Sequence, residues 1–152
     1  MSVSEEDRLA RRIAEHMLAK EGTGNAWGLV IEDGAAGYSR LRMTIRQDMT
    51  NAHGTAHGGM IFALADTAFA YACNSRNQAT VAAGASIIFL APAQEGDILI
   101  AEAREESISG RSGAYSVAVR TSDGRVVAHF QGQSRAIGGT ILETRTEETH
   151  NG

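Results

Sequence analysis

One carboxylate, Asp66, stands alone in the apolar, alanine-rich run Gly58-Gly59-Met60-Ile61-Phe62-Ala63-Leu64-Ala65-Asp66-Thr67-Ala68-Phe69-Ala70-Tyr71-Ala72-Cys73. No other Asp, Glu, Lys or Arg lies between Asp48 and Arg76. An ionised carboxylate in apolar surroundings is costly unless it is paired, hydrogen-bonded or kept neutral. The position therefore suggests chemistry, with Asp66 as general base or nucleophile. A structural carboxylate capping loop amides is the competing reading.

The residues just ahead of it supply what such a group would need. Gly58 and Gly59 open the run, where the first N–H groups of a helix lack partners and its dipole favours negative charge. Amides so placed can hold the oxyanion formed when a thioester or ester carbonyl is attacked. Asn51 offers a side-chain amide to orient water or a carbonyl oxygen. His57 suits bracing of the loop by hydrogen bonds, and Thr67 suits a bond back to the helix carbonyls. His53 and His57 have no third ligand at metal spacing, so no metal site is expected.

These groups need a scaffold, and the rest of the pattern describes one. Ser4 and Asp7 form a capping box ahead of Leu9, Ile13 and Met17, the apolar stripe of a helix ending near Gly22 and Gly24. Trp27 to Glu32 reads as a first strand, with Asp33-Gly34 as a hairpin turn. Leu41, Met43 and Ile45 then alternate with Arg40, Arg42, Thr44 and Arg46, the pattern of a strand with one wet face. The long apolar helix spans about Gly58 to Ser75. Four strands follow, over Thr80 to Leu90, Ile98 to Ile108, Ala114 to Arg120 and Arg125 to Ile137, separated by glycine turns. This order gives an α+β fold in which a curved antiparallel sheet wraps a long central helix, with an extra helix at the N-terminus. A helix apolar on every face needs cover beyond one sheet, which predicts at least a dimer.

With 152 residues the chain suits one domain, and 43% apolar residues are enough for a real core. A net charge of −4 argues against nucleic-acid binding, and no basic cluster of membrane-binding size is present. Cys73 has no partner for a disulfide and sits among apolar neighbours. No run reaches the length of a membrane span and the first residues lack a signal-peptide pattern, so a cytoplasmic protein is expected.

The string Asn51-Ala52-His53-Gly54-Thr55-Ala56-His57-Gly58-Gly59, followed by Leu64-Ala65-Asp66-Thr67-Ala68, closely resembles the hotdog-fold thioesterases of the phenylacetic-acid-degradation type. Ile88-Phe89-Leu90-Ala91-Pro92-Ala93 and Ile137-Gly138-Gly139-Thr140 extend the likeness. It covers residues 5–142 as one domain and leaves 143–152 as a polar tail expected to be disordered. The resemblance implies a hotdog fold, dimers pairing into a homotetramer, and hydrolysis of acyl-CoA thioesters in phenylacetate catabolism. Aryl-acetyl thioesters (phenylacetyl- or hydroxyphenylacetyl-CoA) are the family's named substrates. Coenzyme A is then part of substrate and product, and no separate cofactor is implied.

Carried over by motif, the family's acidic catalyst falls on Asp66, its oxyanion amide on Gly58 and its polar orienting residue on Asn51. His57 and Thr67 match supporting positions. The family assembles its site across a subunit interface, so Asp66 would face Asn51 and Gly58 of a partner. Gly59, Met60, Phe62 and Phe69 fall on the acyl-binding side, and Arg111 and Arg135 are the candidates for coenzyme A contacts. Ala91 replaces an arginine frequent in relatives, and Gln133 and Ala136 are neutral where relatives often carry basic residues. A non-catalytic acyl-CoA-binding or sensing module on the same fold is the alternative, and the retained acid at Asp66 speaks against it. A hydratase would place a histidine further along the helix, and Thr67 to Ser75 contain none.

Overall fold

Ser4 starts the first helix: its Oγ accepts the Asp7 N–H at 3.1 Å. A computed structural model describes residues 3–143. The expected tail beyond Glu143 lies outside the described residues. Helix α1 (Glu5–Lys20) carries Glu5, Glu6 and Asp7 in its first turn and Lys20 in its last, each sign matching the dipole end it occupies. Its buried face is Ala10, Ile13 and Ala14.

The next segment departs from expectation. A short helix, α2 (Gly22–Trp27), follows directly and is closed by Gly28 at φ 65°. Trp27 therefore ends a helix, because Gly28 supplies a left-handed cap, and strand β1 runs over Val30–Ala35. Asp33-Gly34 is not the hairpin turn either. Asp33 Oδ1 accepts the Gly34 N–H at 2.9 Å beside a register shift between Ile31 and Asp33, and Arg11 Nη2 of α1 reaches the same oxygen at 2.8 Å. The reversal comes at Gly37, with φ 70°. Strand β2 (Tyr38–Thr44) shows the expected alternation, with Leu41 and Met43 inward. Its outward arginines are paired with Glu32, Arg40 at 3.0 Å and Arg42 at 3.6 Å.

After a 3-10 turn (Gln47–Met49) comes the central helix α3 (Gly58–Cys73). Asn74 ends it, donating to the Ala70 and Thr80 carbonyls while its Oδ1 accepts the Thr80 N–H. Strands β3 (Thr80–Phe89), β4 (Ile98–Ser109), β5 (Ser112–Thr121) and β6 (Val126–Ala136) follow within two residues of the expected bounds. All pairings are antiparallel, in the order β1-β2-β4-β5-β6-β3. No helix among the described residues is long and apolar enough to cross a membrane.

The sheet closes its inner face on α3. Leu64, Ala65, Ala68, Phe69 and Ala72 are buried with Leu41, Met43, Leu99, Val117, Val119 and Phe130. Alanines on this face let the helix sit close to the strands. The opposite side of α3, carrying Ala63, Asp66, Thr67, Ala70 and Cys73, is only half-covered. Strand β3 forms one edge of the sheet, with Val81 46% and Ile88 64% exposed. A long, apolar, unpaired edge invites another strand.

Candidate active site

The start of α3 divides its amide hydrogens in a definite way. His57 is the N-cap, its Nδ1 accepting the Gly59 N–H at 2.8 Å. The His57 N–H is itself donated to the Met49 carbonyl at 2.8 Å, which anchors the cap to the preceding loop. Gly58 N–H has no acceptor among the described residues. It lies at the positive end of a 16-residue helix, the end that attracts anions.

Gly58 lines a cleft of about 380 Å³ with Asn51, Thr55, Ala56, Ile61, Phe89 and Pro92. Phe89 covers the glycine closely: a Cβ there would stand 3.0 Å from its Cζ. Phe89 is a site neighbour that the sequence reading did not single out. Its signal was the unbroken apolar run Ile87-Ile88-Phe89-Leu90, which leaves no wet face on that strand end.

Asn51 holds the loop together. Its Oδ1 accepts the His53 and Thr55 N–H groups at 2.9 and 3.2 Å, and its Nδ2 donates to Thr55 Oγ1 at 3.0 Å. One amide hydrogen remains over, and Asn51 is among the residues that line the cleft. Thr67 donates its hydroxyl to the Ala63 carbonyl at 2.7 Å.

Asp66 sits on the half-covered side of α3. Burial pushes its carboxyl above the ordinary 3.8, and no hydrogen bond or ion pair among the described residues opposes that shift. Nothing among the described residues therefore explains the acid. Eight residues separate it from Gly58, about 12 Å along the axis and roughly 80° around it. A single carbonyl cannot contact both, since an oxyanion donor must lie within about 3 Å of the oxygen.

The other candidates divide between core and surface. Gly59 is exposed at the helix start, and Met60 packs half-buried against the core. Phe62 is half-buried, edge-on to Phe130 at 5.4 Å. Phe69 is 1% exposed and packs against Tyr115 and Phe130, which places it in the core instead of a pocket wall. Its helix position pointed inward, and the sheet covers that side completely. Arg111 and Arg135 are exposed near one another, the Ala136 N–H donating to the Arg111 carbonyl at 2.8 Å. Arg111 borders two adjoining cavities of about 240 and 340 Å³. Among the described residues no three His, Cys, Asp or Glu side chains are grouped so as to hold a metal ion.

Comparison with known proteins bears on the family and the fold. The family model described as Thioesterase superfamily matches residues 53–128. The acyl-coenzyme A thioesterase PaaI of Escherichia coli K12 is 40% identical over 128 residues, covering 84% of this chain and 91% of that protein. A putative esterase of Deinococcus radiodurans is 41% identical over 106 residues, covering 69% of this chain and 72% of its own length. Among solved structures, that of the E. coli PaaI protein superposes with a TM-score of 0.88 at 38% identity. It covers 90% of this chain and 99% of that one.

Proposed function

This chain belongs to the thioesterase superfamily and is a hotdog-fold acyl-CoA thioesterase of the PaaI type, and from that premise we propose that it cleaves aryl-acetyl-CoA in a site shared by two copies. The carrying observation is the half-buried carboxylate of Asp66, without a partner among the described residues, on the half-covered side of α3. In a dimer formed through the β3 edge, the uncovered helix sides come together. Asp66 of one copy then approaches the free Gly58 amide of the other, which the separation within one copy prevents. The cleft beside Phe89 admits the thioester, and its carbonyl oxygen receives the Gly58 N–H.

Asp66 takes a proton from water as the water attacks the carbonyl carbon, or attacks that carbon itself and leaves an anhydride for water to open. Both routes expel the coenzyme A thiolate, a good leaving group. Asn51 uses its remaining amide hydrogen on water or carbonyl, while His57 and Thr67 hold loop and helix in place. Met60 and Phe62 line the acyl side. Arg111 and Arg135 offer positive charge to the coenzyme A phosphates, and two such dimers associate into the tetramer.

The test is release of free thiol from phenylacetyl-, hydroxyphenylacetyl-, benzoyl- and hexanoyl-CoA. A tenfold preference for the aryl-acetyl pair supports the assignment, and the reverse preference overturns it. Asp66→Ala abolishes turnover in the same oligomer. Turnover within tenfold of the parent would remove Asp66 from the chemistry.

A further inference from the structure

The inward face of β2 reads Ser39, Leu41, Met43, with a hydroxyl where the alternation calls for a third apolar side chain. Ser39 is 1% exposed, and a hydroxyl buried that deeply is costly unless it is bonded. Its partner lies across the core. Ser39 Oγ donates to the Ala68 carbonyl of α3 at 2.6 Å. That oxygen has two lone pairs and also accepts within the helix ladder, so the bond is an addition that the helix itself does not need.

Among the described residues, two hydrogen bonds tie the body of α3 to other elements. In the second, Tyr71 donates its hydroxyl to Glu21 Oε2 at 3.0 Å, at the junction of α1 and α2. That tie acts at the end of a long side chain. Ser39 instead grips the helix backbone, and it does so in the middle of the helix.

The packing around the Ser39 bond is smooth. Ser39 pairs with Ala103 and Leu41 with Ala101 on β4, and these alanines share one core cluster with Ala65, Ala68 and Ala72 of α3. Methyl groups form low ridges, which let a helix come close but resist its rotation weakly. Phe69 does interlock, but with Tyr115 of β5 and Phe130 of β6. On β2 a hydrogen bond takes the place of interlocking rings.

Ala68 is two residues past Asp66, roughly 200° around the helix, so the pin and the acid stand on opposite sides. Any turn of α3 about its axis moves both. Side chains reach about 5–6 Å from a helix axis, so a turn of about 10° carries the Asp66 carboxylate about 1 Å. A displacement of that size can cost about 10²-fold in rate.

We propose that Ser39 is a positioning residue for the hydrolysis: its bond to the Ala68 carbonyl fixes the rotation of α3 and thereby where the Asp66 carboxylate points. This rests on the thioesterase reading of Asp66, which Asp66→Ala tests separately.

The experiment measures kcat, KM and Tm with phenylacetyl-CoA for the parent, Ser39→Ala, Ser39→Cys and Thr121→Val. Thr121 is the control, a buried hydroxyl bonded to Asp123 in the β5–β6 turn and not to α3. Ser39→Ala strands no acceptor, so the chain should fold, with a Tm lower by about 3 °C. Its kcat should fall at least tenfold while KM stays within twofold, the mark of alignment lost in the transition state. Ser39→Cys keeps the size with a weaker donor and should fall between. Thr121→Val should lower Tm by a similar amount and leave kcat within twofold. A Ser39→Ala kcat within twofold of the parent, or a Thr121→Val that loses as much, overturns the role of Ser39 and leaves the thioesterase reading intact. A parent that releases no thiol, or an Asp66→Ala that turns over like the parent, overturns that reading and the inference together.

Discussion

His57 Nδ1 accepts the Gly59 N–H at 2.8 Å, and the N–H of its neighbour Gly58 is thereby the one left free. A capping side chain usually serves the helix alone. Here it also decides which amide is open to the cleft.

Replacing His57 by Ala removes the cap acceptor. A lost N-cap costs about 1 kcal/mol, a fall of a few degrees in Tm for a chain of this size. It also frees Gly59 N–H and loosens the geometry at Gly58, so kcat/KM should fall while KM changes little. His57→Asn, which keeps a capping acceptor, should recover most of the melting temperature. Thermal melts and thiol release on the same preparations check both statements.

Gly58→Ala probes the space between the helix start and Phe89. The new Cβ would stand 3.0 Å from Phe89 Cζ, so the ring must give way by a few tenths of an ångström at the cleft. Activity should fall at least tenfold. In Gly58→Ala/Phe89→Leu the crowding is relieved, and part of the activity should return. A double variant no better than the single one would show that Phe89 is not what makes glycine necessary there.

Much of this arrangement was legible in the residues, and the exceptions have physical causes. The long helix, the wet-faced strand of Leu41 and Met43, and the four later strands follow from apolar periodicity, which tertiary packing reinforces. Trp27 misled because an apolar residue beside Val30 and Ile31 looks like strand until Gly28 is seen as a left-handed cap. Asp33-Gly34 misled because an aspartate that bonds the next amide serves a bulge as readily as a hairpin. The site motif around Asp66 was visible, but the sides of α3 were not. Periodicity is weak in a helix that is apolar at nearly every position, so only the sheet shows that Phe69 faces the core. Phe89 reaches its neighbours through long-range pairing that spacing does not encode.

Gly132 marks a packing limit in the core. A Cβ at that position would stand 2.8 Å from the Phe69 ring, which is itself enclosed by Tyr115 and Phe130. The ring has no free space to enter, and overpacking of this kind costs about 1–3 kcal/mol. Gly132→Ala should therefore lower the denaturant midpoint, and Gly132→Ala/Phe69→Leu should restore part of it. An unchanged midpoint in the single variant would mean that the core is softer than its packing indicates.

Asp66→Asn separates the stability of the acid from its use. Burial raises the folded-state pKa of Asp66 above 3.8, so the folded chain holds this proton more tightly than the unfolded one. Its favourable contribution is complete below the unfolded pKa and is lost as pH rises through the folded value, leaving an ionised group with no partner at neutral pH. The asparagine variant should accordingly melt above the parent at pH 7, with the gap closing as the pH is lowered towards 4. Over the same range kcat/KM of the parent should rise with pH along an acidic limb lying above the ordinary carboxylate value, and the variant should show no turnover from which to draw such a limb. Stability gained with activity lost is what a carboxylate kept for chemistry predicts. A variant that melts below its parent at pH 7 would identify Asp66 as a structural acid instead.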